Sequence, residues 1–257
     1  MESRDGFGAL LGSAILSLLV LVLSQSQRAQ GLPVWERTQI GQSLGGLPIY
    51  CLERGSGSGG VLFVASIHGS EGAGTPLMRA FADHLRQQPS LARDSRIPIV
   101  PVANPDGHSL KRRLNRNGVD LNRNFPADNR RNQKRYGDQA LSEPESRALH
   151  GLIEAKQPDV IVSIHQPVTC VDYDGPESAK ILAKRMADAC NLPLKKLGSR
   201  PGSLGAYFGE TLRRPIITLE LPPLTPKDPS KLYARYGEAL WEAVRFQLEA
   251  DSSRLDR

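Results

Sequence analysis

Only three cysteines, Cys51, Cys170 and Cys190, occur in 257 residues, and no pair has the C-x-x-C spacing of a zinc or redox motif. The odd count excludes a fully paired disulfide framework. One bridge, Cys170–Cys190, is the pairing an oxidising compartment would invite. Aromatic residues make up 5% of the chain, and its basic stretches lack the interleaved rings on which single-strand binders stack bases, so nucleic acid is not an expected partner. There is no internal repeat, which argues against a solenoid or propeller. Long apolar runs are also scarce: residues 9–23, ALLGSAILSLLVLVL, form one, and no second run is long enough to span a bilayer.

Those fifteen residues fall short of the roughly 20 needed for a membrane helix and fit the apolar region of a signal peptide. Two small-x-small sites follow, Ser24-Gln25-Ser26 and Ala29-Gln30-Gly31. Because Glu2 and Asp5 stand beside Arg4 in the preceding segment, an uncleaved membrane anchor is the alternative. Both readings place the rest of the chain outside the cytoplasm, periplasmic or extracellular. The expected organisation is a signal peptide or anchor over 1–31 and one catalytic domain over 32–257. The N-terminal part contributes equal numbers of acids and bases, so the net charge of +6 belongs to the second region. Most of the excess lies between Lys111 and Arg135, a field suited to carboxylate-bearing substrates or an anionic wall polymer.

Short β-branched runs alternate with helical periodicity along that region, which predicts an α/β layer fold on a largely parallel sheet. Strands are expected at 47–53, 61–67, 97–103, 159–165 and 215–221. Most of them are apolar on both faces, as buried parallel strands should be. Helices are expected at 75–87, 143–156, 176–190 and 229–249, the second opened by Ser142 with Glu145 as a capping box. Residues 104–141 show no regular period. So long a loop inside a compact domain is either functional or contains regular elements that the pattern does not reveal.

Two expected strands end in histidine. VLFVASI runs into His68-Gly69-Ser70-Glu71, and DVIVSIH ends at His165. Ligands bind at the C-terminal edge of open α/β sheets, and a catalytic zinc takes three such side chains while leaving a position open. His68, Glu71 and His165 are therefore the candidate ligands for one zinc per chain. His84, His108 and His150 fall in helices or loop and are expected to be bystanders. Glu220 stands among apolar residues in PIITLEL, where an ionisable carboxyl is costly unless it is paired or has a task. Such surroundings suit a group that takes a proton from the attacking water and returns it to a leaving amine.

The segments HGSE (68–71), NPDG (104–107), GVDLNRNFP (118–126), SIHQP (163–167) and TLELP (218–222) follow one another in the order found in the carboxypeptidase A-like zinc family, which the chain resembles. Within it, NRNGVDLNRNFP and HQPVTCVDYDGP look most like the compact bacterial murein peptide amidases. The resemblance implies a three-layer α/β/α fold with a mixed, largely parallel sheet. It also implies His68, Glu71 and His165 as zinc ligands and Glu220 as general acid/base. Arg113 would polarise the scissile carbonyl, Asn122 and Arg123 would hold the substrate's terminal carboxylate, and Asp120 would orient a liganding histidine.

The implied reaction is hydrolysis of an amide at the C-terminal end of a short murein-derived peptide, the γ-D-glutamyl–diaminopimelate bond. Asp172 or Asp174 would meet the distal amine of diaminopimelate. Three alternatives stay open: a general carboxypeptidase on α-linked peptides, an N-acyl amino acid deacylase, and a wall-binding module without catalysis. The family's digestive members carry a substrate-covering tyrosine whose place here falls among LGSRPGSLG, and Tyr207 is the nearest tyrosine.

Overall fold

The computed structural model describes residues 36–54, 59–88 and 96–255; the expected export segment, residues 1–31, lies outside the described residues. In chain order the elements are β1 (Glu36–Gln42), β2 (Pro48–Arg54), β3 (Val61–Ala65), α1 (Gly74–Gln87), β4 (Ile97–Val100), the short α2 (Pro105–Ser109), α3 (Pro144–Lys156), β5 (Val160–His165), β6 (Cys170–Asp174), α4 (Glu177–Cys190), β7 (Ile216–Glu220) and α5 (Pro229–Leu255). Among the described residues no helix is long and apolar enough to cross a membrane.

Seven strands form one sheet in the order β1-β2-β4-β3-β5-β7-β6. Parallel pairing is confined to the central block β4-β3-β5-β7; β1, β2 and β6 join antiparallel on its two sides. The sheet is thus mixed, as expected. The five expected strands all form, and two more stand at its edges. β1 escapes sequence reading because ERTQIGQ lies largely exposed at the edge and offers no apolar run. β6 escapes because CVDYD places two aspartates in a buried strand.

The central strands bury both faces, which is why their sequences run apolar without alternation. One face carries Phe63, Val162, Ile164 and Leu219 against α1, α4 and α5; Leu62, Val64 and Ile161 on the other pack with Leu149 and Ile153 of α3, with Phe125 from a loop and with Phe208 from the π-helical turn Ala206–Thr211. These are the three layers of an α/β/α fold. Phe81 of α1 meets Phe63 and Trp241 edge-on at 5.0 and 5.6 Å, and truncating such a ring to alanine costs roughly 3–5 kcal/mol.

Three expectations are corrected. Helix α3 is not opened by a capping box on Ser142: Glu143 is its N-cap residue, Pro144 begins the helix, and no side chain caps it, while Ser142 Oγ donates to the Glu143 carboxylate. All three cysteines are free; Cys170 and Cys190 are buried separately on β6 and at the end of α4. The 104–141 segment is not irregular throughout. It holds α2 and single 3-10 turns at Leu121–Arg123 and Lys134–Tyr136.

Buried asparagines hold that segment together. The Asn124 carboxamide donates to the carbonyls of Tyr136 and Gln139 and to Ser142 Oγ, and Asn115 donates to Glu143 and Glu145. Buried backbone polar groups need partners, and in this stretch side-chain amides supply what a sheet or helix would supply elsewhere.

Candidate metal centre and substrate cleft

β3 and β5 are neighbours in parallel register, with Ala65 opposite Ile164, so the residues that follow both strands emerge at one edge of the sheet. The first turn after β3 is shaped by close backbone approach. A Cβ on Gly69 would lie 2.0 Å from the carbonyl carbon of Gly107, so only glycine lets the HGSE turn pack on the NPDG turn. Asn104 fastens the same junction, its Nδ2 donating to the carbonyls of Ile67 and Arg113 and its Oδ1 accepting from Gly107 N.

The structure brings His68, Glu71 and His165 together, all three buried, with one ligand-capable atom from each within 4.8 Å of the others. His165 Nδ1 lies 2.8 Å from Glu71 Oε2. His68 Nδ1 lies 2.9 Å from Glu71 Oε1, yet off the direction of a hydrogen bond, and this buried nitrogen has no hydrogen-bond partner. The other ring nitrogen, Nε2, faces Asp120 Oδ1 at 3.0 Å. An orphaned imidazole lone pair beside a carboxylate and a second imidazole is a donor set suited to zinc. The residues present therefore fit the ion.

The electrostatics agree with a tightly coupled group. Burial would raise Glu71, but the charge and hydrogen bond of His165, with the close contact of His68, hold it well below the usual carboxylate range. Asp120 is likewise held low against its burial by His68, with Arg113 and Arg123 assisting. For His68, burial resists protonation, and the hydrogen bond to Asp120 together with the adjacent negative charge of Glu71 outweighs it and raises its pKa.

Arg113 donates from Nη1 to Glu71 Oε1 at 2.9 Å and from Nε to Asp120 Oδ2 at 3.3 Å, so the guanidinium sits against the ligand set. Glu220 stands opposite His165 on the neighbouring strand. Its side chain is partly exposed in the cleft while Leu219 and Leu221 on either side are fully buried. Its carboxylate accepts a hydrogen bond from Val168 N at 3.2 Å. Asn122 presents its Oδ1 to Leu204 N at 2.8 Å, and Arg123 is half-buried beside it. All of these except Asp120 line one cleft of about 310 Å³, together with Asp172, Asp174 and Arg200. Such a volume suits a small ligand or a few residues of peptide.

Asp172 lies opposite Thr218 across the β6–β7 pair, which directs both side chains to the cleft face. It accepts from Leu197 N at 2.8 Å, and burial with the nearby charge of Asp174 raises its pKa. Asp174 is paired with Lys196 at 3.1 Å.

Some residues stand elsewhere. Tyr207 is buried against α3, its hydroxyl 3.1 Å from His150 Nε2 and from Glu154 Oε1, so it does not cover the cleft. His84 stacks on Tyr233, and His108 is not one of the ligand group. Arg130 is engaged with its own loop, its Nη2 donating to the carbonyls of Tyr136 and Gly137.

Gln166 also lines the cleft, and its residue type alone points to no role there. Its Oε1 accepts from Ala73 N, its Nε2 donates to Pro222 O, and its backbone N–H donates to Glu71 Oε2. It thereby ties a ligand carboxylate to two loops. The sequence signal was its place directly after a ligand.

Comparison with known proteins places this geometry among relatives. Residues 30–187 match the family model described as zinc carboxypeptidase. Murein peptide amidase A of Escherichia coli K12 is 34% identical over 221 residues, covering 79% of this chain and 86% of the relative. Gamma-D-glutamyl-L-diamino acid endopeptidase 1 of Lysinibacillus sphaericus is 27% identical over 262 residues, covering 81% and 66% respectively. The crystal structure of murein-tripeptide amidase MpaA from Escherichia coli O157 superposes with a TM-score of 0.66 at 33% identity, covering 80% of this chain and 91% of that one.

Proposed function

The chain belongs to the zinc carboxypeptidase family, and from that premise we propose that it hydrolyses the amide joining a γ-D-glutamyl residue to diaminopimelate in short murein peptides. The observation that carries the reading is one cleft in which the His68–Glu71–His165 group stands with Glu220, Arg113 and the Asn122–Arg123 pair. The murein peptide amidases and the γ-D-glutamyl endopeptidase among its relatives support the substrate class.

His68, Glu71 and His165 would hold the zinc, which when bound supplies positive charge that polarises the scissile carbonyl and acidifies the attacking water. Asp120 binds His68 Nε2 and so keeps the Nδ1 lone pair directed at the centre. Glu220 takes the proton of the attacking water and passes it to the departing amine, a role typically worth about 10²- to 10⁴-fold in rate. Arg113, held against the ligand set, would meet the negative charge that develops on the carbonyl oxygen, and such a donor contributes on the order of 3–4 kcal/mol. Arg123 can hold a terminal carboxylate through two parallel charge-assisted bonds, with Asn122 beside it. Asp172 and Asp174 line the same cleft and would meet the distal ammonium of diaminopimelate.

The buried Asp172 and Asp174 favour one second reading, a carboxypeptidase releasing lysine or arginine from α-linked peptides. Export through the 9–23 segment is part of the proposal, since murein lies outside the cytoplasm. The test is incubation of purified protein with L-Ala-γ-D-Glu-diaminopimelate and with α-linked peptides ending in lysine or phenylalanine, products read by mass. Release of diaminopimelate is the expected result. Faster release of an α-linked residue would replace this reading by the second.

A further inference from the structure

We infer that Lys227 reads the free α-carboxylate of the γ-linked glutamyl residue, and so selects γ-linked over α-linked amides; this deepens the proposed function and rests on it. The cleft has two arms. Asn122, Arg123 and Asp172 lie in one, Ser70, Thr225 and Lys227 in the other, and Glu71, Arg113, Gln166 and Pro167 line both. Glu71 of the ligand group thus stands at the junction, with His68 and His165 in the first arm. With the departing residue anchored by its carboxylate on Asn122 and Arg123, the first arm takes the leaving side and the second takes the acyl side.

The acyl arm is cationic. Its guanidinium, on Arg113, is already engaged with Glu71 and Asp120. Its ammonium, on Lys227, has no carboxylate partner among the described residues. Lys227 overhangs the ligand turn, since a Cβ on Gly72 would lie 3.2 Å from its Nζ, one residue beyond Glu71.

The chemistry of the linkage supplies an anion for that place. Behind the scissile carbonyl of an α-linked residue stand an amide nitrogen and a side chain. When glutamate is linked through its γ-carboxyl, the carbon chain behind the scissile carbonyl ends instead at an α-carbon bearing an ionised carboxylate. That group distinguishes the two linkages, and it enters the arm that holds an unpaired ammonium. An exposed pair in open water contributes little, but a charge-assisted bond against a cleft wall beside a second cation contributes more.

The experiment compares kcat/KM of the full zinc-loaded enzyme on L-Ala-γ-D-Glu-diaminopimelate and on the same peptide with the glutamyl α-carboxyl converted to an amide. Wild type, Lys227→Gln and Lys231→Gln are measured, the last being a neighbouring lysine outside both arms. Wild type should prefer the free carboxylate by about tenfold. Lys227→Gln should bring that ratio to about one, and Lys231→Gln should preserve it. A wild-type ratio near one, or an unchanged ratio in Lys227→Gln, overturns the assignment while leaving the amidase activity standing. No cleavage of either peptide by wild type overturns the assignment and the proposed function together.

Discussion

His68 and Asp120 share a 3.0 Å contact through Nε2 and Oδ1, and this contact decides which nitrogen of the ring is left for a metal. Asp120 is itself held in place: its backbone N–H donates to Arg135 O, and its carboxylate accepts from Asn122 N and Arg113 Nε. The carboxylate that orients the ligand is therefore built into the same turn that carries the substrate anchor. Asp120→Asn keeps the shape but loses the charge, and should weaken zinc affinity or activity by roughly 10- to 100-fold. Competition for zinc against a chelator of known affinity measures the first and steady-state kinetics the second; no change in either would remove Asp120 from this role.

Zinc content tests the ligand set directly. The purified protein should carry about one zinc per chain, and His68→Ala, Glu71→Ala and His165→Ala should each lose it, because a three-ligand site reduced to two is sharply weakened. Elemental analysis gives the stoichiometry, and circular dichroism separates loss of metal from loss of fold. Full occupancy in His165→Ala would exclude that residue from the site.

Glu220 stands across from His165 but is not one of the buried ligand group. Glu220→Gln should accordingly retain zinc while turnover falls by at least about 10²-fold, the low end of what a positioned general base supplies. Near-normal turnover would mean that another group moves the proton.

The carboxylate anchor is tested by pairing a variant with a modified substrate. Arg123→Ala, or amidation of the diaminopimelate carboxylate nearest the scissile bond, should each lower kcat/KM, and combining them should add little because both remove one interaction. Arg131, exposed on the same loop, is the suitable control, since Arg130 holds the carbonyls of Tyr136 and Gly137 and its loss would disturb the loop. Equal cleavage of the free and amidated peptides by wild type would defeat the anchor.

The sequence by itself determined the central sheet and the ligand turns. Strands buried on both faces must be apolar throughout, so VLFVA, VIVSIH and IITLE are visible without coordinates, and a polar residue at the end of such a strand stands out as chemistry. The residues His68, Glu71, His165 and Glu220 were legible for that reason. Edge strands were not: β1 faces solvent and shows no apolar run, and in β6 the aspartates belong to the cleft rather than to the core. Only the tertiary structure decided that Tyr207 turns away toward His150, that Cys170 and Cys190 stay apart, and that Gln166 ties Glu71 to two loops. It alone placed Lys227 over Gly72, 155 positions along the chain. Those relationships depend on which loops meet at one sheet edge, and that is set by strand order and register, which local periodicity does not encode.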